Sequence, residues 1–350
     1  MAYTTINDST AYFQTKLFTG NSSTNAITFD GNTNMQPDWS WFKRRDGANG
    51  HSAFDSVRGV TKLISPNQTA AEQTVSDAVT SFNTNGFTLG SDSNNFINDD
   101  GLSYVAWNWK ANGSGSANTD GSINSTVSAN QTAGFSIVSY TGNATSGATI
   151  GHGLNSVPQM IITKNRDQSS ASQDWCVYHV GVGANKGIFL NLTNSPDTNA
   201  KYFNDTTPTS SVFTVGNNLG TNGSGDDMIA YCFANKTGYS KFGSYTGNGN
   251  ADGTFVYTGF KPAFVIIKRS DATQGWLMWD SKRLGYNPDN NHLQPHGSDA
   301  EGTADTLDLL SNGFKIRESG AGTNGSGASY IFMAFGQSLV GSNNVPCTAR

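Results

Sequence analysis

Two hydrophobic runs, 264–267 and 276–279, flank the polar turn SDATQG inside the segment KPAFVIIKRSDATQGWLMWDSKR at 261–283. Valine, isoleucine, phenylalanine and tryptophan suit the pleated, half-buried surface of a strand, so the segment predicts a hairpin. Its turn is longer than the two-residue loops of the tightest hairpins. The same pattern occurs twice earlier, as PQMIITKNRDQSSASQDWCVYH at 158–179 and PDWSWFKRRDGANGHSAFD at 37–55. A lysine stands six residues after the proline in every copy: Lys43, Lys164 and Lys268. A repeat of this kind decides the architecture before any single element does.

Further landmarks recur in order. Each repeat opens on an aromatic-Thr-Gly-Asn tetrad, at 18–21, 140–143 and 245–248, whose Gly-Asn pair suits a turn with positive φ. A short strand, the proline hairpin, a long variable segment and a strand around Phe87, Phe213 or Phe314 follow. Each unit closes on a segment of period two. Val105, Trp107 and Trp109 share one face, as do Ile229, Tyr231 and Phe233, and Ile331, Met333 and Phe335. Such alternation argues for a strand with one face on a core. The chain therefore predicts an all-β fold of three tandem antiparallel β-sandwich units, at 1–110, 134–238 and 239–350, with Trp107, Tyr231 and Met333 at equivalent core positions. The small, polar stretch 111–133 reads as a Gly/Ser/Asn/Thr linker, or as an extended strand wrapping a neighbouring subunit. On the linker reading, unit one moves separately from a rigid pair of units two and three. The best helix candidate is TAAEQTVSDAVT at 69–80.

Composition narrows the classes. With 13% charged and 11% aromatic residues, the chain is not of the disordered type. A net charge of −5, and no basic cluster larger than Lys43-Arg44-Arg45, give no footprint for nucleic acid. The first residues lack a basic segment followed by an apolar one, so no signal peptide is expected. No apolar run reaches the roughly 18 residues of a membrane span, so no membrane insertion is expected. Cys176, Cys232 and Cys347 are too few and too scattered for a disulfide framework and are expected to be reduced and structural.

The segments AYFQTKLFTGN, AITFDG, SVRGVTK, SFNTNGFTLGSD, YVAWNWKA and VPCTAR are spread over nearly the whole chain. Together they resemble a family of repeat-containing virion structural or tail-fibre-like proteins of tailed phages that infect marine bacteria. The resemblance implies a lectin-like, jelly-roll type of β-sandwich repeat and a place on the virion surface. It implies no catalytic residues.

Candidate chemistry is sparse. The pairs Asp55–Arg58 and Asp280–Arg283, at strand ends, read as local salt bridges or turn clamps before they read as sugar contacts. Unit two has His179 and Val182 there, which argues against one active site shared by every unit. Asp99-Asp100 and Asp226-Asp227 offer oxygens of the kind calcium takes, but unit three has Gly325-Ser326-Gly327 in that region. They read as solvated turns, and no metal is expected. Pro295 prevents a helix from placing His292 and His296 on one face. No serine-nucleophile elbow, zinc helix motif or phosphate loop occurs. Glu72, Glu301 and Glu318 are the whole glutamate complement, and no glycosidase carboxylate pair can be picked out. Neither catalytic residues nor a cofactor is expected. Most tryptophans are expected in cores, although Trp276 and Trp279 should face opposite sides of a sheet and leave one exposed. The candidate binding residues are Trp276, Tyr286, His292 and His296, the last three in the variable loop 284–306, which is expected to contact a glycan.

These readings converge on a non-enzymatic virion structural protein displayed on the particle surface. The leading role is a tail-fibre-like, receptor-binding adhesin that contacts host surface glycans. The alternative is capsid (head) decoration, and a lesser one is a polysaccharide depolymerase. Expected partners are other virion proteins, a host glycan and further copies of the chain in a homo-oligomer, a trimer by class habit.

Overall fold

A computed structural model describes residues 3–168, 173–283, 287, 291–304 and 306–341. The named strands pair antiparallel throughout, and the α-helix among the described residues is one short turn, Leu219–Asn222. Each repeat builds one large and one small sheet. In unit one the large sheet runs in the order Phe13–Thr19, Ser103–Trp109, Trp39–Arg44, Ser52–Asp55, Gly59–Ile64 and Gln73–Thr74. Its small sheet joins Asn25–Thr28, Gly86–Leu89 and Val79–Asn83. Units two and three repeat the central motif. The closing strand, Asp227–Phe233 or Ser329–Gln337, lies between the opening strand and the first hairpin strand.

The register makes the repeat exact enough to match residues by position. Trp107 sits opposite Trp41, Tyr231 opposite Ile162, and Met333 opposite Ile266. The period of two then divides each large sheet between two cores. One face packs on the unit's own small sheet, as Ala106 and Phe42 pack with Phe87 in unit one. The other face carries Trp107, Tyr231 and Met333, which are buried as expected. The core they enter belongs to no single sandwich. It is shared by all three large sheets and includes Trp39, Trp41, Ile162, Trp175, Phe264 and Met278. At one end of this shared core Trp109, Phe233 and Phe335 meet around a common centre, with ring centroids 6.5, 5.8 and 6.0 Å apart. These spacings lie in the range of favourable aromatic pairs. The three units therefore close into a threefold-like ring.

Several expectations are corrected. Residues 111–133 are not a linker. Ser116–Asn118 and Ser125–Asn130 are two strands added to the edge of the unit-two sheet, with Ser125–Asn130 paired along the whole of Phe135–Tyr140. Small polar residues disguise them: Ser125 and Ser128 are buried along with Val127, Thr126 is exposed, and Ala129 and Asn130 are half-buried. Unit one is not a separate body, since its tryptophans stack on unit two, with Trp39 and Tyr231 4.4 Å apart. The 69–80 stretch is not helical. It holds the edge strand Gln73–Thr74 and the start of Val79–Asn83, pairing having overridden helix propensity. In the opening tetrads positive φ falls two residues after the glycine, at Ser22, Ala144 and Gly249. The glycines themselves, Gly20, Gly142 and Gly247, are needed for close approach: a Cβ there would lie 2.1, 2.2 or 2.4 Å from a backbone carbonyl oxygen.

Candidate functional site

The long variable segments of the three units do not project freely. In its described part each folds back over the next unit of the ring, and at two of the three seams charged residues meet. In unit one Asp55 accepts hydrogen bonds from the N–H groups of Val57 and Arg58, as a turn clamp should. It also binds the Arg58 Nε and the hydroxyl of Tyr231 from unit two, the latter at 2.7 Å. Arg58 reaches Glu72 at 3.1 Å, and Glu72 takes a two-pronged contact from Arg166 of unit two at 2.8 and 3.0 Å. Burial opposes ionisation of Glu72, but the two guanidiniums outweigh it and hold its carboxyl below the ordinary range.

Unit three clamps unit one in the same way. Asp280 binds Arg283 at 2.7 Å and the indole N–H of Trp107 at 2.9 Å. Glu301 joins Arg283 at 3.4 Å to Arg45 at 2.9 and 3.3 Å. The expected local salt bridges are therefore present, and each is the inner half of a clamp between units. Register matches the two clamps residue for residue, for Glu72 and Glu301 each precede the partner of an equivalent strand residue.

The third seam, where unit two meets unit three, departs at every one of these positions. His179 takes the place of the aspartate, its Nε2–H donating to the Phe332 carbonyl of unit three at 3.1 Å while Nδ1 accepts from the Gly181 N–H. Burial pushes this ring down to about 4, so it is neutral. Val182 replaces the first arginine and Ser270 the second, and Pro196 replaces the glutamate. A cleft of about 470 Å³ opens there, lined by Gly181, Val182, Lys186, Ser195, Pro196, Ser270, Asp271 and Ser329.

The remaining seam groups are structural in all three units. Lys43, Lys164 and Lys268 lie on the core-facing side, at the end away from the aromatic triangle, and are buried. Each ammonium donates to the carbonyl of the following residue, Lys43 at 2.6 Å, Lys164 at 2.5 Å and Lys268 at 2.9 Å. Two also cross a seam, Lys164 to Thr69 of unit one and Lys268 to Thr193 of unit two. Burial pushes all three down to about 8. Trp175 donates its indole N–H to Ser65 and Gln68 of unit one, and Trp276 to Phe189 of unit two. His51 is their counterpart in unit one, reaching Gln294 of unit three and accepting from Trp41.

The candidate binding residues are therefore not brought together on a surface. Trp276 is 2% exposed and Trp279 fully buried, so neither offers a face to a sugar, although they do point to opposite sides of their sheet. His292 is half-buried beside Trp279, and His296 accepts the backbone N–H of Trp276. Tyr286 lies outside the described residues, as does Cys347. The described part of the 284–306 loop turns inward onto unit one, through Ser298 to Asn49 and Glu301 to Arg45. Asp226 accepts from Asn165 at 2.7 Å, and no cluster able to hold a metal ion occurs among the described residues. Cys176 and Cys232 are free and buried. Among the described residues no helix is long and apolar enough to cross a membrane.

Sequence reasoning missed three buried asparagines, Asn98, Asn222 and Asn324, which tie the opening tetrads through bonds from the N–H groups of Asn21, Asn143 and Asn248. Their signal was available: each stands six residues before the aromatic or methionine that begins the closing alternation, Tyr104, Met228 or Tyr330. Comparison with curated proteins and with solved structures finds no match. One family model, described as a domain of unknown function (DUF7483), matches residues 8–338 as a single stretch. That span takes in all three units and their seams, and the chain belongs to this family.

Proposed function

We propose that the protein is a non-enzymatic structural component displayed on the surface of a phage particle, where it works as a tail-fibre-like, receptor-binding adhesin that contacts host glycans. The observation that carries the binding role is the open seam between units two and three. Two of three equivalent seams are sealed by an Arg–Glu–Arg clamp, and the third presents a polar cleft instead. Ligand sites favour such junctions between packed units. The sheets behind the cleft pack on the shared core, so its walls are formed before a ligand arrives. The resemblance of segments along the chain to phage virion proteins supports the particle. Display as a homo-oligomer, a trimer in the first instance, among other virion proteins would multiply weak sites through effective concentration.

The test is competition. Purified protein, added to host cells before phage, is expected to bind them saturably and to reduce phage adsorption. Saturable binding that leaves adsorption unchanged, or labelling of the protein on heads alone, replaces the adhesin with capsid decoration.

A further inference from the structure

We propose that the open seam binds a uronic acid, the acidic sugar residue of a host polysaccharide. This deepens the receptor-binding reading above and rests on it for the source of the sugar.

The cleft arises from coordinated replacement at matching positions. Arg58 and Arg283 correspond to Val182, Arg166 and Arg45 to Ser270, and Glu72 and Glu301 to Pro196. Losing one member would strand a charge in a seam, whereas losing all three leaves neutral space. Pro196 does more than remove a carboxylate. Glu72 and Glu301 donate their backbone N–H groups across the seam to the carbonyls of Arg166 and Arg45. Proline has no N–H, so the Ser270 carbonyl lacks the donor its two counterparts have.

A guest must supply what the clamp supplied. The cation lining the cleft is Lys186, which faces Thr198 across its strand pair as Lys62 faces Thr74 in unit one, but here Pro196 and not a glutamate stands two residues before that threonine. It calls for an anion near the place the glutamates occupy elsewhere. The Ser270 carbonyl calls for a hydroxyl donor, and the Ser195 and Ser329 hydroxyls can give or accept. Val182 and Pro196 provide an apolar wall for ring C–H groups. Asp271, also in the lining, is held by Arg269 and by the Ser329 N–H, a bond that Asp46 and Asp167 repeat in the other units. Its negative charge repels a dianion such as phosphate more strongly than a single carboxylate. A volume of about 470 Å³ is in the range of small-molecule sites.

The experiment is titration of the purified full-length protein with glucuronic and galacturonic acids, followed by calorimetry or NMR, with glucose and inorganic phosphate as controls. The uronates are expected to bind at least roughly tenfold more tightly than glucose. Lys186→Gln, which alters a half-exposed side chain, is expected to erase that preference. Ser270→Leu, which fills the cleft with a neutral side chain, is expected to abolish binding while near-UV circular dichroism stays as in the parent. Equal binding of glucose and the uronates, preferential binding of phosphate, binding indifferent to both substitutions, or no sugar binding at all would each overturn the assignment. The two readings also fail separately. Protein that blocks adsorption yet takes no uronate keeps the adhesin and loses this ligand. Uronate binding with normal adsorption of phage carrying Ser270→Leu keeps the ligand and loses the receptor role.

Discussion

Glu72 and Glu301 show how much depends on single seam residues. Each carboxylate lies between two guanidiniums, and removing it leaves two cations facing each other with little water. Glu72→Gln is expected to cost about 3 kcal/mol, the low end for breaking a buried pair, because Glu72 and Arg166 keep 11% and 14% of their side-chain exposure. Equilibrium denaturation checks it, and no change in midpoint would refute the clamp. The buried bases add a pH signature. His51 and His179 are pushed down to about 3 and about 4 by burial, against about 6.5 in an unfolded chain. Below pH 6.5 the unfolded state takes up protons that the native state refuses, so stability falls as the solution is acidified. Melting temperature is expected to drop from pH 7 to pH 5, with a shallower slope in His179→Asn. The lysines act in another window. Pushed down to about 8 in the fold, against about 10.4 unfolded, they make stability rise between pH 8 and 10. Above that, buried Tyr140, Tyr231 and Tyr239 and half-buried Tyr245, all raised by desolvation, reverse the trend. The proline-to-lysine spacing was legible in the chain, but the burial of those lysines was not. A lysine at a strand end normally reads as solvent-exposed, and only the neighbouring unit covers these.

At the scale of elements, the closing strands were the most legible part of the chain and the long variable segments the least. Period two marked Trp107, Tyr231 and Met333 as buried, since a strand repeats on one face every second residue. It could not say which core they enter, because both faces of these strands are covered. Residues 111–133 read as a linker because serine, threonine and asparagine carry no hydrophobic signal, yet the backbone pairing at 116–118 and 125–130 needs none. The 284–306 loop reads as a binding loop because it is polar and irregular. Its glutamate is what turns it inward, and an isolated glutamate announces no partner. Trp107→Ala is the test at this scale. It removes a fully buried indole and its bond to Asp280, and is expected to cost about 3–5 kcal/mol. Because Trp107 enters the core that all three sheets share, the loss should reach the whole ring. Amide exchange should speed up in the closing strands of units two and three as well as in unit one. Faster exchange confined to unit one would mean that the shared core does not couple the units.

For the molecule as a whole, the shared core sets what counts as the folding unit. A 350-residue chain of three sandwiches would ordinarily be expected to melt in steps, one domain at a time. Here each large sheet has one face that only the other two units cover. Unit two alone would expose Phe135, Ile137, Ile162, Trp175, Tyr231 and Phe233, an apolar surface of the kind soluble monomers rarely carry. It would also leave Arg166 without Glu72. The matching of the family model to residues 8–338 in one stretch agrees with a ring that is a single unit. Residues 111–238 expressed alone are therefore expected to aggregate or to lack fixed tertiary packing, seen as lost near-UV circular dichroism. The full chain is expected to unfold in one calorimetric transition. The open seam is where that cooperativity is weakest, since neither clamp nor cross-seam N–H bond holds Ser270. If the ring does separate, units two and three should part there first, and a ligand seated in the cleft should delay it in proportion to its occupancy. Three resolved transitions in the full chain, or a well-folded unit two on its own, would show that the shared core is a contact between finished domains and not the centre of one.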